Sequence, residues 1–81
     1  MFKNKNKNSN NLCGEKIKKI RQEKKPKMSQ RALADQLQLA GIDLDKNAIQ
    51  RIESGQRFVT DIELVAFSKI LNVTLDELLL K

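Results

Sequence analysis

Residues 43–57, DLDKNAIQRIESGQR, read as one short helix with little to bury. Beyond its acidic start, Ile49 and Ile52 are its only large apolar side chains. Lying three apart, they share one side of a helix. Asp45 suits the N-cap, where a short acceptor takes an orphan backbone N–H. Gly55 suits the left-handed residue that stops a helix. With the isoleucines turned inward, Lys46, Asn47, Gln50 and Arg51 come from positions that face out. Arg and Lys match guanine O6 and N7, whereas Asn and Gln match adenine N6 and N7. For an isolated helix the plain alternative is an ordinary solvated face, so the flanking segments decide.

Upstream, Ser29 is placed to cap a helix through QRALADQLQLA, with Leu33 and Leu37 four apart and small Ala34 between them. Gly41 ends it. Two helices joined by a tight link, the second polar outside, make a helix-turn-helix. Before them a helical pattern starts at Leu12, with Ile17 and Ile20 three apart, and Pro26 closes it near Lys25. Downstream, Thr60 and Glu63 form a capping box that opens a helix with Leu64, Phe67, Ser68 and Leu71 on one face. TLDE repeats the device at Thr74 and Glu77 before Leu75, Leu78 and Leu79. The expected fold is all-α, with five helices and no strand.

Three segments in order, SQRALA, IQRIESG and LNVTLDELL, resemble the lambda-repressor-like (XRE) family of bacterial DNA-binding domains. The resemblance covers residues 14–80. It implies a compact five-helix domain whose third helix enters the major groove while the second crosses the phosphate backbone. It makes Lys46, Asn47, Gln50 and Arg51 the base readers. Gln30 falls where the family holds a glutamine at the start of its second helix, beside an N-terminus suited to phosphate. Gln56 and Arg57 lie where the family touches phosphates, and Lys27, Arg31 and the Lys-rich start add to that contact. A glutamate facing phosphate needs a reason; in the family it pairs with an arginine of the first helix, which assigns Glu53 to Arg21.

The chain departs from the family in QLAGIDL, which makes the link before Asp45 several residues longer, and in the Pro-Lys before Met28. The expectation is that QLA adds about half a turn to the second helix and that Gly-Ile-Asp-Leu makes the turn. The fourth helix carries Ile62, Val65, Ala66 and Ile70 besides its core face, so it is apolar nearly all round and calls for cover on two sides. Leu39, Ile42 and Leu44 are expected to supply most of it. A modest two-fold contact is expected near the last helix and Leu80, giving a homodimer that reads half-sites about 34 Å apart.

Charge and composition narrow the function. Residues 1–27 hold ten Lys/Arg against Glu15 and Glu23, hence 10 − 2 = +8; residues 28–81 hold six against eight acids, hence 6 − 8 = −2. A basic segment on a balanced body points to a polyanion contacted along one side. Residues 1–11, MFKNKNKNSNN, are expected to be a disordered arm, with the domain spanning 12–81. Cys13 is the single cysteine, so a disulfide framework is excluded. There is no histidine, no Ser/His/Asp set and no metal-ligand spacing, so neither catalysis nor a metal or cofactor is expected. No apolar run spans a membrane and no signal peptide is visible, so the expected location is the cytoplasm. The leading expectation is sequence-specific binding of double-stranded DNA by a transcription regulator, a repressor. The competing one is a module acting through a protein partner, such as an antitoxin.

Overall fold

The computed structural model describes residues 9–80. Five helices follow in order: α1 (Gly14–Glu23), α2 (Gln30–Leu39), α3 (Lys46–Glu53), α4 (Asp61–Leu71) and α5 (Leu75–Leu79). Every described residue outside them is turn or loop, so the chain is an all-α domain.

Short polar side chains set where most helices begin. Ser29 Oγ accepts from Ala32 N at 2.9 Å and Asp45 Oδ1 from Ala48 N at 2.8 Å. Thr60–Glu63 and Thr74–Glu77 close reciprocal capping boxes at α4 and α5. At α1 the residue in the cap position, Cys13, gives no side-chain bond. Asn11 Oδ1 accepts from Gly14 N instead, at 2.7 Å. The helix therefore starts two residues after Leu12, which lies outside it and 51 % exposed.

Left-handed residues close three of the helices. Past α2, Gly41 has φ +84° and Ile42 N reaches back to Leu37 O at 2.8 Å. Past α3, Gly55 has φ +83° and Gln56 N reaches Arg51 O at 2.8 Å. Both are the backward bond that satisfies carbonyls left open by a helix end. Asn72, at φ 60°, does the same after α4, where Val73 N bonds Ser68 O. Helix α2 thus extends through Gln38 and Leu39, with Ala40 as its C-cap.

One core joins the helices: Ile17, Leu33, Leu37, Leu44, Ile49, Ile52, Phe67, Leu71 and Leu78 are each at most 1 % exposed. Each such side chain contributes about 1.5–3 kcal/mol through burial. Gly14 lets α1 lie directly on α3, because a Cβ there would overlap the Ile52 carbonyl.

The expected cover of α4 is incomplete. Leu44 is buried and Ile42 half-buried, but Leu39 is 87 % exposed. Ile62 and Val65 remain 68 % and 41 % exposed. The reason is the turn at Gly41: it folds Ile42 and Leu44 back under α2 and leaves Leu39, on the last turn, outside.

Candidate nucleic-acid interface

Helix α3 has two sharply different sides. Ile49, Ile52 and Glu53 are buried, while Lys46, Asn47, Gln50 and Arg51 are all exposed. At about 100° per residue these four spread over an arc of roughly 140° opposite the isoleucines. Among the described residues, neither Lys46 nor Arg51 makes an ion pair, so their charges stay available. A shallow groove runs along this face, lined by Asn47, Gln50, Arg51, Ser54 and Gln56. Ser54 belongs to that surface, and the sequence reading passed over it. Its spacing from Gln50 and Arg51, four and three residues, held the signal. Its hydroxyl donates to Arg51 O at 3.1 Å.

The inward edge of α3 is fixed by an ion pair. Arg21 Nε donates to Glu53 Oε2 at 2.8 Å and Nη2 donates to Oε1 at 2.9 Å. The two side chains are 9 % and 3 % exposed. Two planar groups joined by two parallel bonds leave little rotational freedom. Arg21 Nη1 also donates to Met28 O at 2.9 Å, so the same guanidinium holds the α1–α2 turn. No buried side-chain polar atom among the described residues lacks a partner, and this cluster is satisfied throughout.

Gln30 and Arg57, both assigned to phosphate from the sequence, are engaged within the protein. Gln30 Nε2 donates to Glu53 Oε1 at 2.9 Å. The first residue of α2 is thereby tied to the last residue of α3, a link that sets the mutual placement of the two helices. Arg57 Nη1 and Nη2 donate to the Glu63 carboxylate at 3.0 and 3.2 Å, and Nη1 also donates to Phe58 O. The hydrogen bond to Glu63 is the main cause that raises the Arg57 pKa, against a smaller opposing effect of burial. For Glu63, burial pushes the carboxyl upward. The bonds from Arg57 and the Thr60 backbone N–H, with the Arg57 charge, outweigh it and hold the pKa below 4.5.

The remaining phosphate candidates, Lys27, Arg31 and Gln56, are exposed. Arg31 shares a surface depression with Asp35, Gln38, Asp45 and Lys46, between α2 and α3. The two acids make that rim poorer for phosphate than its basic members alone suggest.

The N-terminal segment adds contacts that composition did not foretell. Asn10 N donates to Gly55 O at 2.8 Å, and Asn10 Nδ2 donates to Gln56 O at 3.1 Å. Asn11 Nδ2 donates to Ile52 O and Arg57 O at 3.0 and 2.8 Å. Residues 10 and 11 are therefore bonded to the end of α3 and the turn after it. The rest of the expected arm, 1–8, lies outside the described residues. Composition carries no trace of these bonds, because their carbonyl partners lie more than forty residues away.

Cys13 is buried in the core, and burial is the main cause that raises its thiol pKa to about 11. No described helix is long and apolar enough to cross a membrane. Among the described residues no group of three His, Cys, Asp or Glu side chains is placed to hold a metal.

Against known families, the chain matches the model described as helix-turn-helix over residues 17–78. No curated protein and no solved structure gives a significant match.

Proposed function

Because this chain belongs to the helix-turn-helix family, whose fold carries a DNA-binding regulatory role, we propose that it is a sequence-specific transcription regulator of the lambda-repressor-like (XRE) kind. In this reading α3 lies in the major groove of double-stranded DNA. Lys46, Asn47, Gln50 and Arg51 read base edges, joined by Ser54. Lys27, Arg31 and Gln56 contact phosphates. Gln30 and Arg57 act mainly by positioning: Gln30 through Glu53, Arg57 through Glu63. The protein works in the cytoplasm as a homodimeric repressor on a two-fold operator.

The observation that carries this reading is the division of α3. Four side chains with base-matching groups are exposed on one face, while the other face is pinned by Ile49, Ile52 and the Arg21–Glu53 pair. A solvated scaffold helix can also be polar outside, and the helix-turn-helix setting of α3 is what favours base reading here. Steering by the basic first third of the chain fits the same partner.

A second reading, a module acting through a protein partner, draws on the exposed apolar side chains Leu39 and Phe58, at 87 % and 60 %. Charge separates the two, since a protein partner does not require +8 on residues 1–27. Selection from random duplexes followed by salt titration is the test. DNA reading predicts a consensus sequence, and an affinity that falls linearly on a log–log plot against salt. Weak binding, blind to sequence at every salt concentration, would overturn it.

A further inference from the structure

Helix α4 presents apolar side chains that its own fold leaves uncovered, and they sit within a patterned row. Asp61, Val65 and Lys69 are four apart and all exposed, so they form one ridge along the helix. Ile62, Ala66 and Ile70 form the next ridge, with Ile62 open to solvent and the other two half-buried. Between the ridges runs a groove whose floor is low at Ala66, where the side chain is a single methyl. Neither Asp61 nor Lys69 has an ion-pair partner among the described residues. Asp61 Oδ1 accepts from the neighbouring Ile62 N–H.

The row is self-complementary. Val65 stands at its centre, with an acid four residues before and a base four residues after. Turning a second copy about a two-fold axis that passes between Val65 and Ala66 sets Asp61 of each copy beside Lys69 of the other. A parallel arrangement would instead set acid against acid and base against base. We propose that the exposed face of α4 is a self-pairing surface, taken by α4 of a second copy of this chain in antiparallel orientation. Ridges of the i, i+4 type from both helices run alongside one another at a crossing angle near −50°. At that angle Val65 of one copy enters the groove over Ala66 of the other, and Ile62 packs on the Lys69 stem. One stripe supplies both halves of every contact, which is the mark of an isologous pair.

One face of an 11-residue helix is smaller than the roughly 800 Å² per partner of a standard interface. The pair is therefore weak in free solution. It becomes populated when two copies sit on adjoining half-sites, where the effective concentration is about millimolar. Only that last step rests on the DNA-binding reading; the pairing itself does not.

The test omits DNA, so its failure and that of the DNA reading are distinguishable. Self-association is followed by NMR and sedimentation up to roughly 2 mM protein. The expected result is concentration-dependent shifts centred on Ile62, Val65 and Lys69. Asp61→Lys and Lys69→Asp should each weaken association about tenfold, replacing two attractions by two repulsions. The double variant should recover most of that loss. Thermal melts check that each variant is folded. Rescue cannot come from stability, because the double variant keeps the lysine at the start of α4. Val65→Cys supplies an accessible thiol, since Cys13 is 1 % exposed, and a short bismaleimide should then link two copies. The proposal is overturned if association is absent at the highest concentration and no cross-link forms. It is equally overturned if the double variant is no better than the singles, or if the shifts centre on α5.

Discussion

Arg21 and Glu53 show how much one residue pair does in a domain of this size. Their two bonds fasten α1 to α3, while Gln30 adds α2 to the same carboxylate. Glu53→Gln removes the charge facing a guanidinium that is itself buried, and breaking one side of such a pair costs on the order of 3–5 kcal/mol. Asp45→Asn keeps a cap of equal quality and should be close to neutral. The first variant should therefore melt well below the second; an equal or smaller loss in a thermal melt contradicts the role given to Glu53. On the outward face, Gln50→Ala and Arg51→Ala should each weaken the best-bound duplex by about 1–3 kcal/mol and relax preference at one base position. Gln30→Ala should weaken all duplexes about equally, since its amide orients the helix through Glu53. Parallel selections with the three variants separate these patterns.

At the scale of elements, glycine positions distinguish conformation from contact. Gly41 is left-handed but has open space around it, so Gly41→Ala should cost only the backbone penalty, about 1–2 kcal/mol. Gly14 is helical, yet a Cβ there meets the carbonyl of Ile52, and backbone cannot turn aside as a flexible side chain does. Gly14→Ala should cost more than Gly41→Ala, even though alanine favours helix. Denaturant unfolding of the two variants measures the difference. The start of α4 supplies a pH dependence. Glu63 has its folded pKa below the ordinary 4.5, so its contribution to stability is present above that value and lost as pH falls through the folded pKa. Glu63→Gln should remove this part of the acid destabilisation, giving a flatter stability curve below about pH 5 than the parent shows.

Across the whole molecule, the strongly basic first third of the sequence joins the end of α3 through a short asparagine latch. Asn10 and Asn11 donate four bonds to backbone carbonyls of residues 52–57, beside the groove of α3. Removing residues 1–8 takes away Lys3, Lys5 and Lys7 but leaves the latch intact. That truncation should make DNA binding less steep in salt, by about 0.9 for each phosphate those lysines neutralise, and should lower the melting temperature less than removal of residues 1–11. Removing residues 1–11 should also lower the melting temperature, because the carbonyls of Gly55, Gln56 and Arg57 lose these donors and Gly14 N, at the start of α1, loses its acceptor. If both truncations melt alike, the latch contributes nothing to stability.

The five helices were legible in the chain because their signals are local. Ser29, Asp45, Thr60 and Thr74 stand one residue ahead of a helix, and Gly41 and Gly55 stand just past one. The outward set on α3 was legible for the same reason, since Ile49 and Ile52 alone define which way the other side faces. Family resemblance carried the Arg21–Glu53 assignment, which spacing alone does not yield. Other properties depended on the meeting of distant segments. Whether Arg57 faces solvent or Glu63, whether Gln30 is free or tied to Glu53, and whether Asn10 and Asn11 are tail or latch are matters of tertiary placement. So is the exposure of Ile62 and Val65, which hydrophobicity marked for burial. Local chemistry determined where each helix starts, stops and turns its apolar side; only packing in three dimensions decided which polar groups found partners and which apolar ones were left uncovered.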